Sequence, residues 1–260
     1  MPPRRPIPFL VLVLVGALAA GAAQAQGYSR AAEAVLSRAF AATGGTGWYM
    51  LRGWRETGQQ NGRPYEAWID PLRYGLRSEV REPGGLRIYG FNGQAVWGVA
   101  PDGEITAVKD HDALARARTE AFFAANGFFF RGRFDGRGEH IGVRQHGGRA
   151  YDVLRVQPGG GEPRELWFDR KTHLLRRIVD RTGPRAEVLQ VTDYRKVGPV
   201  LIPFSLVPEG ARAGEPAGAL ARKREHIVFA PTERERFSLN RPEELARVAA
   251  AARTDGASAP

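Results

Sequence analysis

The run Gly85-Leu86-Arg87-Ile88-Tyr89-Gly90-Phe91-Asn92-Gly93-Gln94-Ala95-Val96-Trp97-Gly98-Val99 decides the fold class. Two segments, 85–91 and 94–99, carry branched and aromatic residues on either side of Asn92-Gly93. That dipeptide is preferred where a two-residue hairpin needs positive φ at both central positions. The same pattern spreads outward. Segments 48–57, 63–70 and 72–81 come before it, divided by Gly, Asn and Pro, and Asp102-Gly103 reads as a second two-residue turn of the same kind. Strands resume at 139–145, 149–157, 164–169, 173–181, 186–196, 199–207 and 222–230, with Gly147-Gly148 and Gly159-Gly160-Gly161 as connections. The chain holds 32 glycines and 18 prolines in 260 residues, too many for a helical bundle and suited to strands and turns.

Helices interrupt the strands at two places. Ser29 caps one that runs to about Thr43, with Ala31, Val35, Leu36, Ala39 and Phe40 as its apolar set and Gly44-Gly45 as its stop. Asp110 or Asp112 opens the second, which Asn126-Gly127 closes. Leu114, Ala117, Ala121 and Ala125 form one stripe on it, with Phe122 at its edge, while Phe123 falls on nearly the opposite face. Such a helix either has apolar material on both sides or has its end tucked under Phe128-Phe129-Phe130. Residues 209–221 read as a surface loop. A short helix from Pro242 to about Ala252 and a tail of small and polar residues to Pro260 follow.

The first 25 residues read as an address. Arg4 and Arg5 precede an apolar run from Ile7 to Leu18, and Ala23-Gln24-Ala25 supplies a cleavage site, together the pattern of a secretory signal peptide. Pro8 and Gly16 interrupt the run, which is short for a bilayer span; an uncleaved anchor is the alternative. The predicted organisation is therefore a signal peptide over 1–25, one domain over 26–241, and the C-terminal helix and tail over 242–260. Export from a Gram-negative cell to the periplasm is the expected destination.

Composition excludes several functions. Hydrophobic residues at 43% and charged residues at 25% argue against wholesale disorder and against a multi-span membrane protein. With no cysteine there is no disulfide, thiolate metal site or thiol nucleophile. The formal charge is +10, but 34 of the 38 basic residues are arginines spread among acids. A diffuse basic surface, open to an anionic membrane, fits this better than nucleic-acid binding. No H-E-x-x-H, G-x-S-x-G, Walker A or helix-opening G-x-G-x-x-G motif occurs. Glu139-His140 and His146 lie on adjacent stretches and could meet across a hairpin as a metal site; two half-exposed strand histidines are the simpler reading. No catalytic residue, metal or cofactor is predicted.

The positive signal is aromatic. Trp48, Trp54, Trp68, Trp97 and Trp167 all fall in predicted strands. They either wall an apolar concavity for an acyl chain or form a core between a curved sheet and its helices. The candidate ligand-binding residues are Trp54, Trp68, Trp97, Phe122 and Phe123.

Several strings, read in order, resemble a known family. They are Ala41-Ala42-Thr43-Gly44-Gly45-Thr46-Gly47-Trp48, Gly90-Phe91-Asn92-Gly93-Gln94-Ala95-Val96-Trp97 and Tyr151-Asp152-Val153-Leu154-Arg155-Val156. Glu165-Leu166-Trp167-Phe168-Asp169, Thr172-His173-Leu174-Leu175, Asp193-Tyr194-Arg195 and Ile202-Pro203-Phe204 complete the order. Together they resemble the periplasmic outer-membrane lipoprotein-sorting proteins with the LolA, LolB and RseB fold. They are also similar to the N-terminal domain of some secreted bacterial aspartic proteases. The resemblance covers roughly residues 30–230. It implies an α+β, mainly β fold: a strongly curved antiparallel sheet, an unclosed β-barrel, wrapped around two helices. It implies non-catalytic holding of a lipid, acyl chain or lipoprotein. A periplasmic sensor or protein-interaction module of the same fold, or a relict protease N-terminal domain, is the alternative. Arg52 and Arg55 are candidates, by position only, for the family's cavity arginine.

Overall fold

The structure, a computed structural model, describes residues 27–108, 110–210 and 221–256. The signal-peptide reading and almost all of the 209–221 loop therefore lie outside the described residues.

Helix α1 (Arg30–Ala42) is capped by Ser29, whose Oγ accepts from the Ala32 N–H at 3.2 Å. Its buried stripe is Ala32, Val35, Leu36 and Ala39. The chain then forms a 3-10 turn, Gly45–Met50, where a strand is expected from Trp48 on. Gly44 and Gly45 both take positive φ, and the Trp48 indole donates back to the Thr43 hydroxyl at 3.0 Å, which bends the segment under the helix.

Six strands follow: β1 (Trp54–Gln60), β2 (Arg63–Asp70), β3 (Gly75–Glu82), β4 (Gly85–Phe91), β5 (Val96–Val99) and β6 (Ile105–Val108). Helix α2 (His111–Ala124) comes next, capped by Asp110, whose Oδ1 accepts from the Ala113 N–H at 2.9 Å. Seven more strands complete the sheet: β7 (Gly136–His146), β8 (Arg149–Pro158), β9 (Arg164–Asp169), β10 (Leu175–Asp180), β11 (Glu187–Val197), β12 (Val200–Pro208) and β13 (Arg222–Phe229). Helix α3 (Arg241–Gly256) ends the described chain, running past the expected end at Ala252.

All thirteen strands belong to one antiparallel sheet, in the order β6-β5-β4-β3-β2-β1-β13-β12-β11-β10-β9-β8-β7. It consists of two meanders joined where β1 pairs with β13. Its two end strands, β6 and β7, are the strands that α2 connects, and residues 27–29 bridge onto β7 at Gly138. In a flat sheet β3 and β8 would stand about 38 Å apart, at about 4.8 Å per strand. One helix of about 21 Å nevertheless packs on both, so the sheet is strongly curved around it. The expected fold is the one observed.

Turn chemistry departs from expectation at two places. Val99 pairs with Ile105, so Asp102-Gly103 lies in a five-residue loop in which only Gly103 has positive φ. Phe91 pairs with Val96, so 92–95 is a four-residue loop in which only Gly93 has positive φ, and the Asn92 side chain accepts from the Gln94 and Ala95 N–H groups. Two-residue turns with positive φ at both positions occur instead at Asn61-Gly62 and Gly147-Gly148.

Register sorts the side chains into rows. Trp54, Ile69, Leu76 and Phe91 stand opposite one another across β1–β4, all buried on the inner face toward α1 and α2. The next row, Arg55, Trp68, Arg77, Gly90 and Trp97, points outward, and the one after, Glu56, Ala67, Ser78, Tyr89 and Gly98, points inward again. Helix α3 covers the outward row over β3–β5. Val248 packs there with Ile88, Trp97 and Val99 as a second, smaller core. Gly90 is required for this layer, since a Cβ there would lie 2.1 Å from the Trp97 ring.

Candidate functional site

The inner face changes character along the strands. At one end Phe122 and Phe123 of α2 meet Phe128, Phe134 and Tyr74 with ring centroids 5.2–6.5 Å apart, and Phe128 reaches Phe168 at 6.3 Å. These rings fill the space they surround. Phe122 is fully buried and Phe123 nearly so. Of the two readings of this helix, the end tucked under Phe128-Phe129-Phe130 is the one observed.

At the centre lies a buried charge. Glu56, with no exposed surface, faces two arginines from β13: Arg222 Nη1 donates to Oε1 at 2.6 Å and Arg224 Nε to Oε2 at 2.8 Å. The Tyr65 hydroxyl donates to Oε1 at 3.1 Å and the Trp54 indole to Oε2 at 3.3 Å. Burial alone would push the Glu56 carboxyl up. Arg224 and Arg222 more than offset it and hold the group down at about 2. The cluster pins the seam between the two meanders.

Past this cluster the inner face is not filled. Two recesses open on either side of Glu120 of α2. One, of about 250 Å³, lies over the Ser78–Tyr89 row and is lined by Gln60, Leu76, Val80, Arg87 and Arg222. The other, of about 370 Å³, lies toward β9–β11 and is lined by Arg116, Glu162, Arg164, Ile178 and Leu189 among others. Glu120 is hydrogen-bonded to the Tyr89 hydroxyl. Burial pushes its carboxyl up to about 6, against the opposing pull of Arg222, Arg164, Tyr89 and Arg116. Glu120 is thus a carboxyl set between two cavities with its charged form disfavoured by burial.

The five expected ligand-binding residues do not share a wall. Trp54 belongs to the filled part of the inner face and is committed to Glu56. Trp68 and Trp97 stand in the outward row, where Arg77 lies 5.9 and 5.4 Å from their ring centroids and Trp97 donates to the Phe237 carbonyl at 2.9 Å. The reason is parity: Trp54 pairs with Ile69, so Trp68 must face the other side. Neither Arg52 nor Arg55 turns inward. Arg52 is exposed, and Arg55 pairs with Glu66 on the outer face. Arg222 and Arg224 do face inward, to Glu56, in a strand whose polar sequence gives no sign of burial. His140 and His146 do not meet: His140 lies 3.3 Å from Asp152 and His146 3.2 Å from Glu209. Among the described residues no group of three or more metal-ligating side chains forms. No helix among them is long and apolar enough to cross a membrane.

No family model matches the chain, and no curated protein matches it. Among solved structures it is similar to a DUF1329 family protein from Desulfovibrio piger, at 12% identity, covering 79% of this chain and 96% of that one with a TM-score of 0.48. It is similar also to a LolA superfamily protein from Nitrosomonas europaea, at 12% identity over 80% of this chain and 97% of that one, with a TM-score of 0.48. MucB is a third, at 15% identity over 76% and 66%, with a TM-score of 0.25. These likenesses are of fold.

Proposed function

We propose that the chain is a non-catalytic binding protein that holds a lipid, an acyl chain or the acyl part of a lipoprotein in the concavity of its open sheet. The supporting observation is the unfilled space beneath α2. An open sheet whose edges are bridged by a helix leaves a mouth, and here two recesses of about 250 and 370 Å³ remain beside Glu120. Their sizes are near the lower end of small-molecule sites, roughly 300–1,000 Å³, and Leu76, Val80, Ile178 and Leu189 give them apolar walls. The periplasm is the proposed location, on the strength of the 1–25 signal. The arginine-rich surface favours docking on anionic membranes, which predicts vesicle binding that weakens with salt, since exposed charges are screened within about 8–10 Å. Native mass spectrometry of the purified mature chain tests the central reading. Co-purifying species of lipid mass, released on collisional activation, are expected. A bare polypeptide after expression in a lipid-rich host, together with no uptake of a fluorescent fatty acid, contradicts it.

A further inference from the structure

The two recesses beside Glu120 differ in charge, and the difference names a ligand class. The recess toward β9–β11 sets Arg116 and Arg164 against Glu162, Asp180 and Glu187. The recess over β3–β4 has Arg87 and Arg222 in its wall and no acid other than Glu120. Both arginines are held in place from behind by a carboxylate: Arg87 Nε lies 2.9 Å from Glu82, and Arg222 Nη1 2.6 Å from Glu56.

The apolar and cationic parts of this recess are also separated in space. Leu76 pairs with Phe91 at the end nearest the aromatic core, while Val80 pairs with Arg87 at the opposite end, toward the turn that follows Glu82. Four residues of strand put these ends about 13 Å apart. Ser78 and Tyr89, directly opposed, make the floor between them. Arg87 is half-exposed at the outer end.

We propose that this recess binds a single-chain amphiphile with an anionic head group, its tail toward Leu76 and its head at Arg87 and Arg222. This rests on the reading of the concavity as a lipid site and specifies the ligand for its smaller half. Glu120 then acts as the discriminator. The charged and titratable groups around it are Arg116 on its own helix, Tyr89 and Arg87 on β4, Arg222 on β13, Arg164 on β9, and Glu162, Asp180 and Glu187 beyond it. When Glu120 is protonated, the β3–β4 recess presents two arginines, each paired from behind with a carboxylate, and no charged acid in its own wall. When it ionises, a negative charge stands beside the incoming head group and binding weakens.

The test uses the mature chain and two probes of equal tail length, 1-octanesulfonate and 1-octanol, titrated calorimetrically at pH 5.0 and pH 7.5. The sulfonate stays charged at both pH values, so any pH dependence belongs to the protein. Octanesulfonate is expected to bind more tightly than octanol, and about tenfold more weakly at pH 7.5 than at pH 5.0. Glu120→Gln is expected to bind the sulfonate equally at both pH values, and Arg87→Gln to narrow the gap between the two probes. Thermal melts of both variants confirm that they fold. Octanol binding with no preference for the sulfonate overturns the proposal and leaves the lipid reading intact. A pH dependence that survives in Glu120→Gln overturns the role of Glu120. Binding of neither probe overturns the lipid reading and the proposal together.

Discussion

Hairpins β2–β3 and β9–β10 are built alike and end up in different surroundings. Each has a tryptophan two residues before an aspartate at the strand end, Trp68 with Asp70 and Trp167 with Asp169. Asp70 accepts from the Leu72 and Arg73 N–H groups, and Asp169 from those of Lys171 and Thr172. A residue with positive φ closes each turn, Tyr74 at 64° and His173 at 59°. An arginine opposite each tryptophan then lies over its ring, Arg77 at 5.9 Å and Arg177 at 4.8 Å, with a bulge between Leu175 and Arg177 keeping the second pair in register. The difference is what covers them. Arg77 is closed in by α3, whose Glu244 accepts from both guanidinium arms at 2.7 Å, and by Glu79. Arg177 pairs with Glu209, a partly exposed residue. Local sequence sets the turn and the stack, and a helix from elsewhere in the chain sets how much the pair matters.

Stopping the chain after Asn240 breaks the comparison most severely. Rewetting Ile88, Trp97 and Val99 should cost about 4–6 kcal/mol and shift tryptophan emission to the red, with far-ultraviolet dichroism still reporting the sheet. An emission spectrum that does not move would mean that α3 does not seal this face. Arg77→Ala should cost about 3–5 kcal/mol by urea titration, because Glu244 is left buried without its cation and Glu79 keeps only Arg247. Arg177→Ala at the matching site should cost only about 1–2 kcal/mol. Equal losses would show that burial does not distinguish the two hairpins.

Acid sharpens the same contrast. Burial would raise the Glu209 carboxyl, but Arg177, with hydrogen bonds from Arg177 and Gln190, holds it below its ordinary range. A lowered carboxyl contributes stability above its unfolded pKa, about 4.3, and that contribution is lost as pH falls through the folded value. The cost of Arg177→Ala should therefore be smaller at pH 3 than at pH 7. The smallest effect belongs to Arg181→Ala. Its ion pair with Glu165 at 2.7 Å sits on a largely exposed arginine and should contribute at most about 1 kcal/mol.

Much of the fold is legible in the chain. Ser29 announces its helix, and Asp110 or Asp112 the next, because a cap is a local event; the structure uses Asp110, and nearly every strand segment is bounded by its own turn residues. The sides of the strands are not legible. Trp54 and Trp68 look equivalent until pairing with Ile69 fixes their opposite parity. The Glu56 cluster is silent for another reason: its arginines, Arg222 and Arg224, lie more than 160 residues away and meet it only because β1 and β13 pair. Glu120 reads as an ordinary helix glutamate, and only the curvature of the sheet turns it toward two unfilled spaces.

The account stands on the claim that the space beside Glu120 is a binding site rather than loose packing. Ser78 lines the smaller recess and makes no contribution to the aromatic core, so Ser78→Trp fills the space from its floor. The measurement is uptake of a fluorescent single-chain fatty acid by the wild type and by this variant, with melting temperatures recorded alongside. The account predicts saturable uptake by the wild type, lost in Ser78→Trp, with the two proteins melting within a few degrees of each other. Undiminished uptake by Ser78→Trp would contradict it.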